Sequence, residues 1–110
     1  MQLLEKGIFM DNDIQKKYLM NILADDYSRD LLHHTIETPK SGVELSNETG
    51  IPGSTVYRKL SRMANFKLLK ITGIISPEGK KIFFYQSKIK SIYTKFEDGL
   101  IHMEIIPNEI

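Results

Sequence analysis

The sequence predicts an α+β fold: four amino-terminal helices, a β-hairpin, and a second, carboxyl-terminal β-hairpin. Three observations predict it. Apolar side chains recur at helical spacing up to about residue 65. Beyond Phe66 the pattern turns to extended chain rich in branched and aromatic residues. Two turn sequences, Pro77-Glu78-Gly79-Lys80 and Glu97-Asp98-Gly99, each split such a run in two. At 110 residues the chain is long enough for one domain, 1–110, around one core. Its 41% hydrophobic and 26% charged residues match a folded domain rather than a disordered or low-complexity one.

The first helix is expected over residues 11–23. Asp11 or Asp13 can cap its free amides, and Ile14, Tyr18, Leu19, Ile22 and Leu23 recur on one side. A second helix follows with Asp25 or Asp26 as cap, Leu31, Leu32 and Thr35 or Ile36 as buried stripe, and Pro39 as the stop. Ser41 opens a short third helix. Glu44, three residues on, completes a Ser-x-x-Glu box in which hydroxyl and carboxylate satisfy each other's backbone amides, and Gly50 ends the element.

The fourth helix, about 53–65, is the most patterned. Val56, Leu60 and Met63 make one narrow apolar stripe, while Ser54, Arg58, Ser61 and Arg62 lie on the reverse. Residues 69–87 then read as a hairpin and residues 88–106 as a second one. The stretch 88–96 has a competing reading, because Ile89, Ile92, Tyr93 and Phe96 also fit helical spacing; its isoleucine, threonine and tyrosine content and its direct entry into a turn favour strand. The residues after Pro107 are expected to fray. Met10, Met20, Met63 and Met103 read as core filler.

Charge is informative once divided. Residues 51–95 carry ten bases against the single acid Glu78, a local charge of +9, whereas residues 1–50 and 96–110 each carry −4. A cationic module between acidic flanks suits a phosphate-bearing partner, although a lysine-rich solvated face produces the same count.

Two short helices joined at Gly50, the second exposing hydroxyls and arginines, followed by a hairpin with lysines near its tip, is the order of a winged helix-turn-helix. A helix fits the DNA major groove, and arginine can make paired hydrogen bonds to guanine or to phosphate. Arg58 is the first candidate for a base contact. Ser41, Ser54, Thr55, Tyr57, Ser61 and Arg62 are candidates beside it, and Lys80 and Lys81 are candidates on the hairpin that would serve as wing. Double-stranded DNA is the expected partner. A homodimer built from the first helix and the carboxyl-terminal strands is expected too, because one domain reads one half-site.

Residues 22–32, 41–46 and 50–60 carry a resemblance, most specifically Ile51-Pro52 followed by Ser54-Thr55-Val56-Tyr57-Arg58 and Leu60. Over about residues 12–87 the chain resembles archaeal winged-helix transcriptional regulators of the ArsR-like class. The resemblance implies a cytoplasmic DNA-binding protein, often a homodimer on a palindromic site. Two features depart from that class. Its metal-sensing members use cysteine pairs, and this chain has no cysteine; and a hairpin stands where many members dimerise through a terminal helix.

The lack of cysteine also removes disulfides and thiol nucleophiles. His33 and His34 are neighbours that point about 100° apart on a helix, and His102 is distant, so neither a metal nor another cofactor is expected. Asp25 and Asp26 have a capping role, and neither a nucleophile motif nor a glycine-rich phosphate cradle accompanies them, so no enzyme is expected. Residues 1–10 lack a cationic stretch followed by a long apolar run, and no apolar run reaches bilayer length, which points to the cytoplasm. The rival readings are a winged-helix module for protein assembly, whose cationic face meets an acidic protein, and an effector-responsive sensor.

Overall fold

The computed structural model describes residues 8, 9 and 12–110. Their order is β1 (Ile8–Phe9), α1 (Asp13–Ala24), α2 (Asp26–His34), β2 (Lys40–Ser41), α3 (Gly42–Thr49), α4 (Gly53–Asn65), β3 (Leu69–Ile75), β4 (Lys81–Ser87), β5 (Ile89–Glu97) and β6 (Leu100–Pro107). The fold is α+β, with four helices and two antiparallel three-stranded sheets, ordered β2-β4-β3 and β1-β6-β5. Each expected hairpin forms the main part of one sheet. The two-residue strands β1 and β2 complete them, and neither has enough residues to show a period in the sequence.

The helix starts follow from side-chain acceptors. Asn12, rather than Asp13, caps α1: its Oδ1 accepts from the amides of Ile14 and Gln15. Asp11 lies outside the described residues. Asp25 caps α2 through the Ser28 amide, 3.0 Å away, and Ser41 and Glu44 form the reciprocal box at α3. Where α2 ends, the structure corrects the expectation. The helix stops at His34, well before Pro39, because the buried Thr35 hydroxyl turns back onto the Leu31 carbonyl at 2.8 Å while its own carbonyl accepts from the Ser87 amide at 3.0 Å. The stop is a tertiary contact with the end of β4.

One core joins both sheets to the helices. Tyr18, Leu19, Ile22, Leu31, Leu45, Ile51, Val56, Leu60 and Met63 from the helical half meet Leu68, Leu69, Ile89 and Met103 from the strands. Two expectations for the core are corrected: Ile14 is 72% exposed and Met20 also reaches solvent. Tyr18, Leu19 and Ile22 suffice to cover the underlying helices, which leaves the amino-terminal turn of α1 and its outer side in water. Met63 and Met103 are buried, and Met10 lies outside the described residues.

Residues 88–96 settle as strand, and the reason is the turn. Asp98 and Gly99 both hold positive φ, 55° and 77°, which matches a tight two-residue connection to the twist of its flanking strands. A helix over 88–96 would leave that turn with nothing to join. The β4–β5 corner is stitched by Ser87, whose buried hydroxyl donates to the Ile89 carbonyl and accepts from its amide. Asn108 Nδ2 donates to the carbonyls of Ile36 and Ser87, at 2.8 and 2.9 Å, so the chain just past Pro107 is tied down rather than frayed. Because the second hairpin leaves the body at this corner, the radius of gyration is 15.2 Å, against about 13 Å for a compact chain of this length.

An ion pair adds a testable tie between α2 and α4. Lys59 Nζ lies 2.9 Å from Asp25 Oδ2. Burial would raise the Asp25 pKa, but the Lys59 ammonium and the Ser28 hydroxyl and amide overcome it and hold the carboxyl at about 2. A lowered carboxylate pKa contributes stability above the unfolded-state value, 3.8, and that contribution is lost as pH falls through the folded-state value. Asn at this position keeps a cap acceptor and loses the charge. Asp25→Asn is therefore expected to lower unfolding free energy by about 1 kcal/mol at pH 7, discounted for a carboxylate one-third open to water. The deficit should vanish between pH 4 and 2 in urea titrations. A deficit independent of pH would count against the pair.

Candidate functional site

The site is built on α4. Its amino terminus is delivered by a short connection in which α3 ends at the left-handed Gly50, Ile51 is buried, and Pro52 precedes the first helical residue. The connection is closed by Ser46, whose hydroxyl donates to the Ile51 carbonyl at 2.6 Å, and by Thr49, whose hydroxyl donates to the Leu45 carbonyl and accepts from the Ile51 amide. Val56, Leu60 and Met63 are all essentially fully buried. Three anchors on one side fix the rotation of the helix, so Ser54, Arg58, Ser61 and Arg62 are exposed on the other.

The cations of this half remain available. Lys59 is paired with Asp25 and Lys95 with Glu97. Among the described residues no ion pair holds Arg58, Arg62, Lys67, Lys70, Lys80, Lys81, Lys88 or Lys90. The α4 face thus presents two guanidinium groups free of ion pairs among the described residues, with the hydroxyls of Ser54 and Ser61 beside them, an array of donors suited to acceptor oxygens and ring nitrogens. Arg62 stands toward α1, in a recess of about 220 Å³ shared with Tyr18, Asn21 and Asp25. Tyr18 is raised by burial, against the opposing pull of Arg62, so its phenol stays protonated.

On the other flank, α4 meets the first hairpin. Tyr57, 47% exposed, lines a groove of about 280 Å³ with Ser41, Val43, Lys81, Phe83 and Tyr85. Lys81, Phe83 and Tyr85 are alternate residues of β4 and share one face of the sheet. Lys81 Nζ lies 5.3 Å from the centre of the Phe83 ring, which steadies the ammonium over an aromatic face. Tyr57 can settle here because position 42 is glycine. A β-carbon at Gly42 would fall 2.4 Å from the Tyr57 ring, so any side chain there would expel the ring from its seat. Tyr85 is raised by burial and by its neighbour Tyr57.

The sequence-derived candidates therefore separate. Ser54, Arg58, Ser61 and Arg62 come together on the open face of α4, and Tyr57 and Lys81 converge at its edge. Thr55 is half-buried, and Lys80 is exposed at the hairpin turn. Ser41 is buried, and its hydroxyl accepts from the Glu44 amide at 3.1 Å, so it caps α3. The groove wall formed by Val43 and Phe83 was missed in the sequence, although the period-two relation among Lys81, Phe83 and Tyr85 already carried half of it.

His34 Nδ1 lies 3.1 Å from Glu48, which also binds Lys40; these contacts hold Glu48 below its ordinary pKa. Among the described residues, no group of three or more His, Asp or Glu gathers as metal ligands, and no helix is long and apolar enough to cross a membrane. No protein-family model, curated protein or solved structure matches the chain.

Proposed function

We propose that this chain is a winged helix-turn-helix domain of the ArsR-like class that binds double-stranded DNA and acts as a cytoplasmic transcriptional regulator. In this reading α4 enters the major groove and the β3–β4 hairpin is the wing. The observation that carries it is the open side of α4, where Arg58 and Arg62 stand unpaired among small hydroxyls while the reverse side is locked into the core. Arg58 reads a base edge, Ser54 and Ser61 contact base edges or backbone, and Tyr57, Arg62, Lys80 and Lys81 grip phosphates. Thr55, at the helix start, and Ser41, at the start of α3, contact phosphate or a base edge beside them.

The test is fluorescence anisotropy with labelled random duplex DNA across a salt series. Binding should weaken linearly in log salt with a slope set by the number of phosphates neutralised. Lys81→Ala should weaken binding to all sequences alike and lower that slope by about one unit. Absence of duplex binding at 50 mM salt and micromolar protein would overturn the proposal.

One observation favours a second reading. Ile71, Ile74, Ile75 and Phe83 of the hairpin are exposed apolar residues, which suits a protein-assembly module. In that reading Ile74→Ser and Ile75→Ser weaken binding of the partner protein and raised salt does not, whereas duplex binding through the cationic face falls with salt.

A further inference from the structure

The second hairpin presents an unfinished sheet. Among the described residues, β6 is the central strand of its sheet and β5 is an edge, with no strand on its outer side. An open edge of nine residues is a row of backbone donors and acceptors about 30 Å long that templates another strand. Among its charged residues Lys90, Lys95 and Glu97, two aromatic rings stand in water: Tyr93 and Phe96 are 61% and 74% exposed. On the face carrying Phe96, β5 continues the core, because Ile92, Thr94 and Phe96 sit opposite Ile105, Met103 and Ile101 of β6. Along this row exposure rises toward the turn, from the half-buried Ile92 to the exposed Thr94 and Phe96.

The charges along β5 select the partner and its direction. Lys88 and Lys90 stand at the start; at the end stand Glu97, paired with Lys95 at 3.0 Å, and the turn residue Asp98, which leave that end net acidic. A second copy of β5 laid antiparallel brings each basic start beside an acidic end, whereas a parallel copy puts like beside like. A two-fold axis normal to the sheet keeps the faces aligned, so only residues of the same parity can pair. Centring on Lys95 would set two ammonium groups opposite each other. Centring on Tyr93 would set Phe96 opposite Lys90. Centring on Thr94 sets Ile92 opposite Phe96 of the other copy and Ser91 opposite Glu97, each twice by symmetry, and brings the bulged Lys90 near the turn that carries Asp98.

We propose that two copies of this chain associate edge to edge through β5, antiparallel and centred on Thr94, into one continuous sheet of six strands. The seam covers the exposed Phe96 ring with Ile92 of the partner copy and closes both free edges, since a two-fold contact of this kind is self-limiting. It stands on the strand edge alone and does not depend on the DNA reading.

The test uses the full chain without DNA. Light scattering at tens of micromolar should give twice the 12.7 kDa chain mass, and Phe96→Glu should weaken association at least tenfold. The chain has no cysteine of its own, so single cysteines report the register. Directly opposed residues in antiparallel strands have Cα atoms about 4.5–5.5 Å apart, within disulfide reach. Thr94→Cys should therefore form a covalent dimer under oxidised glutathione, which takes up the two electrons and two protons. Lys95→Cys should do so far more slowly, because its opposite number is Tyr93. A mass of one chain at these concentrations overturns the proposal. So does a dimer in which the Thr94→Cys variant cross-links no faster than the Lys95→Cys variant, since another face must then make the contact.

Discussion

Alanine at Leu60 is expected to lower the unfolding free energy by about 2–5 kcal/mol, the largest effect of any substitution considered for this chain. Leu60 is 1% exposed and lies between Val56 and Met63 within a core that also holds Leu31, Leu45 and Ile51. Removing its isobutyl group loses the transfer term and leaves a void that rigid helix packing fills only in part. A domain of this size has total stability on the order of 5–15 kcal/mol, so the variant should show a clear drop in urea midpoint with an unchanged slope. Leu60→Met, which conserves volume, should lose less than about 1.5 kcal/mol. A loss below about 1 kcal/mol for alanine would mean that α4 is not anchored as described, and the placing of its outer face would go with it.

The second large effect concerns function. Arg58→Ala should weaken binding to a preferred duplex site by about 1–3 kcal/mol, roughly 5- to 150-fold, and relax the preference at the base pair it contacts. Its effect on random duplex should be small. That contrast separates it from Lys81→Ala, which should act on all sequences equally. Arg58 makes no ion pair and caps no helix among the described residues, so its removal should leave the circular dichroism spectrum and urea midpoint unchanged. Selection of bound sites from randomised duplex supplies the preferred site. Equal affinity of the variant and the parent on it, with the fold intact, would remove α4 from the role of reader.

Much of the architecture was legible because its signals are local. The Ser41/Glu44 box, the stop at Gly50, the stripe of Val56, Leu60 and Met63, and the turn at Asp98-Gly99 each depend on residues a few positions apart. The open face of α4 was legible for the same reason: once three neighbours choose the inside of a helix, the outside is determined. What escaped depends on residues far apart in sequence. Thr35 ends α2 because Ser87 waits 52 positions later, with its amide on the Thr35 carbonyl. Asn108 is held because Ile36 and Ser87 offer carbonyls at the same point. Ile14 fits the apolar spacing of α1 and Met20 read as core filler, yet both reach solvent because the core needs only Tyr18, Leu19 and Ile22 from that helix.

The candidate site shows the same division. Arg58 and its neighbours could be picked out on α4 alone, but the burial of Ser41 and the groove where Tyr57 meets Lys81 could not. Tyr57 reaches that groove by lying over Gly42, on another helix, and Lys81 reaches it from another sheet.

By itself, then, the sequence determined the order of the four helices and two hairpins, which side of α4 faces inward, and where its positive charge collects, since periodicity, capping and turn chemistry act within a few residues of chain. Only the tertiary structure decided where α2 stops, which cations keep their charge unpaired, how α4 and the first hairpin share a groove, and that β5 is left as an edge. Each of these depends on which distant groups meet once the core has closed, and burial and pairing are properties of that meeting rather than of the local chain.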